Sequence, residues 1–365
     1  MSTPAPSLPD AVVRVGVVVP LSPPGWAEAG EHLLAGIELA VAEINGAGGV
    51  AGRPLELAVR DTAADPQRAA AAVDELAGLG VVALVGEYHS VVARAVAPRA
   101  DALGLPFLCT SAVLDALTEE PTEWVARLAP PQSRGWKLYA DFLLAAGHRR
   151  IAVAVQPSIY WESGIRILRN HLAPEGGTVV QLDLQALTPP AVCDELATDG
   201  ATALLLLAGY PEPAVPIVRA VRQDKRLAEV MIGAPAGQPE FAGWAESLGD
   251  DGAGVPFLRY LPETFTPLGA RVDAALRERR ADPPSFVAFE GYDAIAVLAE
   301  VFRTCGTDRT RIAESWSHVA IEGTRGQIDF SRTPGINVRQ WTWAPIQVVD
   351  RDPADLDRFR VHRSG

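Results

Sequence analysis

Val12-Val13-Arg14-Val15-Gly16-Val17-Val18-Val19 is an almost unbroken β-branched run. Such a run, bounded by turn residues, suits a strand buried on both faces. After a Pro- and Gly-rich loop, residues 31–45 carry Leu33, Leu34, Ile37, Ala40, Val41 and Ile44 at helical spacing, and Asn45-Gly46 closes the helix. The alternation then repeats. Residues 55–60 read as a strand, 66–79 as a helix, 81–85 as a strand, 91–103 as a helix and 105–109 as a strand. Strands alternating with helices predict a parallel sheet covered on both faces.

A second series of similar size follows. Residues 134–146, 164–172, 191–198 and 214–223 read as helices, interleaved with strands at 151–155, 179–182, 203–207 and 230–232. Two such series predict two similarly built lobes. The tail is less regular: 268–280 and 286–305 read as helices, 327–330 and 338–349 as strands. The second of these strands alternates as a half-exposed antiparallel strand does. The acidic stretch Asp352-Pro353-Ala354-Asp355-Leu356-Asp357 reads as a solvated turn.

The chain of 365 residues is longer than one core usually supports, which again predicts two domains. A formal net charge of -13 argues against non-specific binding to nucleic acid or to an anionic membrane surface. The 3 cysteines, Cys109, Cys193 and Cys305, have neither disulfide-framework nor zinc spacing, and no metal site is expected. Residues 1–10 show no basic-then-apolar leader, so a cytoplasmic location is expected, or an extracytoplasmic one if a signal has been removed. No apolar run is long enough for a membrane span, and no membrane insertion is expected.

Gly46-Ala47-Gly48-Gly49-Val50-Ala51 matches the spacing of a dinucleotide fingerprint, but a helix precedes it and a strand follows, the reverse of what that fingerprint needs. It reads as a tight turn, and no cofactor is expected. The hydrolase and P-loop signatures are absent. Glu87, His89 and Ser90 sit close in sequence, yet they form no convincing nucleophile–base set, so a non-enzymatic role is expected.

Ligands of parallel α/β sheets bind at the carboxyl ends of strands. Ser90 follows one strand and opens a helix, where a hydroxyl and exposed backbone N–H groups suit an anion or a carbonyl oxygen. Ser111 stands beyond the next strand with the same chemistry. Tyr160 and Tyr210 follow strands of the second series, where a ring covers and a phenol donates. Trp26, in the loop after the first strand, could cover an apolar part of a ligand.

The stretch from Leu34-Ala35-Gly36-Ile37 through Glu43-Ile44-Asn45, then Gly48-Gly49-Val50 and Gly52-Arg53-Pro54-Leu55, resembles the leucine/isoleucine/valine-binding proteins. These are type I periplasmic binding proteins, the solute receptors of ABC importers. Asp61-Thr62, Asp65-Pro66 and Phe289-Glu290-Gly291-Tyr292-Asp293-Ala294 extend the resemblance over about residues 12–350. It implies two Rossmann-like α/β lobes with parallel sheets, three hinge crossovers and closure over a ligand. The expected lobes are 12–128 with 254–324, and 129–253 with 325–363.

By the same resemblance, Ser90 and Ser111 grip the ligand carboxylate, and Tyr160 and Tyr210 contact it from the second lobe. Val113 stands where many members have Thr. Members that bind α-amino acids often place a Glu in the loop that here reads Ala234-Pro235-Ala236-Gly237-Gln238. Glu240, Glu87 or Glu290 would have to replace it, because an unpaired buried ammonium is costly. A ligand without an ammonium, such as an amide or a carboxylate, gains weight. The expected site is therefore Trp26, His89, Ser90, Ser111, Tyr160, Tyr210 and Glu290. The expected role is binding a small amino acid, amide or carboxylate, with an ABC permease as partner. The alternative is a cytosolic sensor of the amide-sensing type acting on a regulatory protein; an α/β enzyme using the cleft ranks below both.

Overall fold

A computed structural model describes residues 12–365, so the reading of residues 1–10 lies outside the described residues. The chain divides into two compact units. Residues up to Ala112, Ala116–Ala129 and Val287–Thr342 form the first; Val113–Asp115, Pro130–Phe286 and Trp343–Gly365 form the second. The chain thus passes between units after 129, 286 and 342, apart from the short excursion at 113–115. The expected boundaries differ: residues 254–286 belong to the second unit and 325–342 to the first. Pairing of strands explains both shifts, as follows.

The first segment builds β1 (Val13–Val19), α1 (Ala27–Gly46), β2 (Leu55–Asp61), α2 (Pro66–Gly78), β3 (Ala83–Gly86), α3 (Ser90–Ala102), β4 (Phe107–Cys109) and β5 (Val125–Arg127). The second unit's long segment builds α4 (Gln132–Ala145), β6 (Arg150–Val155), α5 (Ile159–Leu172), β7 (Thr178–Asp183), α6 (Pro189–Asp199) and β8 (Ala203–Leu207). It continues through α7 (Ala214–Gln223), β9 (Met231–Gly233), α8 (Ala242–Leu248), β10 (Phe257–Arg259) and α9 (Pro267–Arg279). The return adds α10 (Phe286–Cys305), α11 (Arg309–Ser315), β11 (Ala320–Gly323), β12 (Gly326–Ser331) and β13 (Arg339–Trp341). The tail forms β14 (Gln347–Asp352) and β15 (Asp355–Ser364).

The first unit holds an 8-stranded sheet in the order β11-β12-β13-β5-β4-β3-β1-β2. It is parallel from β13 to β2, and β11 and β12 add an antiparallel edge. β12 and β13 join β5, which is why residues 325–342 lie with this unit. The second unit holds the 4-stranded parallel sheet β7-β6-β8-β9 and an antiparallel sheet β10-β14-β15. Pairing of β10 with β14 keeps residues 257–259 in this unit. The single strand expected over 338–349 is two strands in two sheets. Pro345 lies between them and has no N–H to continue a ladder.

Helix starts are chemically marked. Asp65 accepts from the N–H groups of Gln67 and Arg68 and is followed by Pro66, Thr266 accepts from the Gly269 N–H ahead of α9, and Asp308 from the Arg311 N–H ahead of α11. The Gly46–Ala51 stretch is the expected turn, closed by Gly49 N–H donating to the Ile44 carbonyl. The Asn45 side chain then bonds the Leu55 N–H and carbonyl at 2.7 and 2.9 Å, which fixes the start of β2.

In the first unit α1 crosses α10 backbone to backbone. A Cβ at Gly36 would lie 1.8 Å from the Ala288 carbonyl oxygen, and one at Gly291 would lie 2.3 Å from that of Leu33. The Tyr292 hydroxyl donates to Glu43 at 2.6 Å across the same pair of helices. At the next position of α10, Asp293 accepts from the Thr324 N–H at 2.6 Å and from Arg325 Nε at 2.9 Å; Arg325 also lies 3.2 Å from Glu290. All three charged side chains are fully buried. Removing one partner of a buried charge group leaves the others uncompensated, at a cost of ~3–5 kcal/mol. Arg325→Met is therefore expected to lower unfolding stability by about that amount in urea denaturation, and Glu290→Gln by clearly less; equal losses would contradict the arrangement.

Candidate functional site

The carboxyl edge of the first unit's sheet is a continuous row. Val18 pairs with Gly86, Gly86 with Cys109, Cys109 with Arg127, and Arg127 with Gln340. Arg127 is buried and donates through Nε to the Gln340 side chain at 2.7 Å. Glu87 turns inward directly beyond β3 and is fully buried. One carboxylate oxygen accepts from the Thr62 hydroxyl at 2.9 Å, and the other from the N–H groups of Tyr88 and His89, each at 3.0 Å. Burial pushes its pKa up to about 7 against those hydrogen bonds.

His89, not Ser90, is the residue that precedes α3, and Ser90 is the first residue of the helix. His89 Nε2 accepts from the Trp26 backbone N–H at 3.1 Å, so that nitrogen carries no proton. Burial holds the imidazole down to about 4, which keeps it a neutral acceptor at pH 7. Trp26 in turn sets its ring edge-on to Tyr88, with centroids 5.8 Å apart. The structure thus brings Trp26, His89 and Ser90 together beyond β1 and β3.

Ser111 follows β4, is 5% exposed, and lies 3.4 Å from the Thr110 hydroxyl. It is also hydrogen-bonded to Glu290, so α10 reaches the same edge. Burial pushes Glu290 up to about 7, opposed by the Arg325 guanidinium and by Ser111. Asp293 beside it is also raised by burial.

In the second unit Tyr160 is the second residue of α5, whose Ser158 cap accepts from its N–H. Its ring packs edge-on against Trp136 and Trp161, and burial raises its phenol. Tyr210 follows β8, but its hydroxyl lies 3.2 Å from Ser247 Oγ and its ring 6.0 Å from Trp244. It packs against the unit's own apolar cluster. Glu240 is committed within this unit: it accepts from the Phe286 N–H at 3.0 Å and pairs with Arg259 at 2.8 Å.

Sequence reasoning missed Thr62 as the partner of Glu87 and Arg325 as the partner of Glu290. Neither partnership has a local sequence signal, because 25 and 35 residues separate the members. Glu87 bonds Thr62 and main-chain N–H groups, and His89 Nε2 bonds the main chain of Trp26.

These pKa values have a consequence for stability. The Glu290 carboxyl ordinarily titrates at 4.5 and in the folded chain at about 7. Its stabilising contribution is complete below pH 4.5 and is lost as pH rises through about 7. His89 acts oppositely, its contribution being lost as pH falls from 6.5 through about 4. Comparing Glu290→Gln with the unchanged chain isolates the first effect. Urea unfolding across this range should show a smaller loss of stability toward pH 7 in the variant; identical slopes would contradict the assignment.

A model of the family described as periplasmic binding protein matches residues 12–351. A curated relative, Leu/Ile/Val-binding protein homolog 3 of Brucella melitensis, is 25% identical over 345 residues, covering 91% of this chain and 92% of that protein. The crystal structure of the leucine-binding protein LivK from Thermotoga maritima superposes with a TM-score of 0.82 at 21% identity, covering 97% of this chain and 98% of the other. A solute-binding protein of an ABC transporter from R. palustris, in complex with 4-hydroxybenzoate, gives 0.81 at 19% identity, with 97% of each chain covered. The family match spans almost the whole described chain and agrees with the two α/β units and the three passages between them: the chain belongs to the periplasmic binding protein family, of the leucine/isoleucine/valine-binding type.

Proposed function

We propose that this chain is the solute receptor of an ABC importer, and that it takes a small molecule ending in a carboxylate or carboxamide. The observation that carries the reading is the pair of serines beyond hydrogen-bonded neighbouring strands. Ser90 opens α3 after β3, and Ser111 follows β4. The first turn of a helix supplies backbone N–H groups and a favourable dipole to an oxygen-bearing anion. Trp26 covers the ligand beside these serines, and His89 and Glu290 support them through Trp26 and Ser111; Tyr160 and Tyr210 stand at strand ends of the second unit.

The missing ammonium partner supports a solute without that charge. The loop Ala234–Gly237 has no carboxylate, and Glu240 is engaged by Phe286 and Arg259. Relatives are named for leucine, isoleucine and valine, whereas two structural neighbours hold benzoate and 4-hydroxybenzoate. The receptor role supports an extracytoplasmic setting and a permease partner. Among the described residues no helix is long and apolar enough to cross a membrane.

A thermal-shift screen of amino acids, carboxamides and small acids tests the reading, since a ligand that binds only the folded chain raises its melting temperature. Carboxylates and amides without an ammonium are expected to give the largest shifts. Ser90→Ala should then cost about 1–3 kcal/mol of affinity for the best of them by titration calorimetry. Unchanged affinity would remove Ser90 from the site, and turnover of a bound compound would overturn the receptor reading.

A further inference from the structure

Two glutamines of the second unit share an unusual disposition. Gln132 opens α4 and Gln238 follows the loop after β9, and each is 1% exposed. The Gln132 amide nitrogen donates to the Tyr160 carbonyl at 2.9 Å, and that of Gln238 to the Ala208 carbonyl at 3.2 Å. Tyr160 lies beyond the carboxyl end of β6 and Ala208 directly beyond that of β8. β6 and β8 are paired neighbours, with Val155 opposite Leu207. These bonds fix which end of each amide is oxygen, because the reverse orientation would set two oxygens against each other. In both, Oε1 is buried and accepts from no protein donor.

A buried carbonyl oxygen without a donor costs stability, and nearly all such groups in folded proteins are satisfied. Two of them at the carboxyl edge of one sheet, anchored alike beside candidate site residues, suit a ligand donor. We infer that Gln132 and Gln238 are neutral acceptors through which the second unit takes a hydroxyl or carboxamide of the solute. The inference rests on the receptor reading above and names a residue-level basis for selection within it. A neutral donor needs only an acceptor, whereas an ammonium also needs a counter-charge, which neither glutamine supplies. Glu240, the nearest carboxylate in sequence, is held by Phe286 and Arg259.

Titration calorimetry on the full chain tests this with benzoate, 4-hydroxybenzoate, 4-carbamoylbenzoate, 4-(aminomethyl)benzoate and leucine. The first four share a carboxylate and ring and differ only at the far end. The hydroxyl and carbamoyl probes are expected to bind at least about tenfold more tightly than benzoate, because a site built to bond a polar group rejects the analogue lacking it. In Gln132→Met and Gln238→Met that preference should fall to about threefold or less, with benzoate binding kept. Retained benzoate binding also shows that the variants are folded. Gln238→Glu should improve binding of the aminomethyl probe and no other. Equal binding of benzoate and its hydroxyl and carbamoyl derivatives, or a preference that survives both Met variants, overturns the inference. Binding of leucine with none of the four benzoates also overturns it, but leaves the receptor reading in place. Failure of all five probes overturns the inference, and the receptor reading then rests on the wider screen.

Discussion

Where α1 and α10 cross, there is no room for a side chain on either surface, and the two backbones touch at Gly36 and Gly291. The contact joins residues 255 positions apart and sets the height of α10 against the first unit's sheet. From that height Glu290 reaches Ser111, while Asp293 and Arg325 tie the helix to the hairpin of β11 and β12. The hairpin in turn leads β13 to its place beside β5. A larger residue at the crossing would shift the helix, and with it the buried charges and the strands that depend on them.

The carboxyl edge of this unit holds two carboxyls with raised pKa values. Glu87 and Glu290 are both fully buried, and each is supplied with donors but with less positive charge than a buried anion needs. Arg325 serves two acids at once. A second negative group brought to Ser90 and Ser111 would favour the protonated form of both glutamates. Binding of an anion and uptake of protons are therefore linked in sign, whatever the anion is.

The α/β architecture was legible because hydrophobic period is a local signal. The runs at 12–19 and 203–207 and the helical spacing of 286–305 needed no partner to be read. The unit boundaries were not legible, because they depend on which strand pairs with which. Residues 338–349 look like one alternating strand, yet the two halves join sheets of different units on either side of Pro345. The motifs that carried the family resemblance are largely scaffold. Gly36 and Gly291 make the helix crossing, Tyr292 bonds Glu43, and Asn45 pins the start of β2. Among the candidate residues, Ser90 and Ser111 stood out by following strands, while Gln132 and Gln238 did not. A glutamine is ordinary in sequence, and only burial and an occupied amide nitrogen set these two apart.

Strand β5 has β4 on one side and β13 on the other, and β13 is made more than 200 residues later. During synthesis the first unit's sheet therefore waits with β5 as an open edge while the second unit's parallel sheet emerges complete. A chain that stopped short of residue 339 would keep an unpaired ladder available to any extended peptide, so the late strand closes the edge that synthesis leaves open as well as finishing the fold.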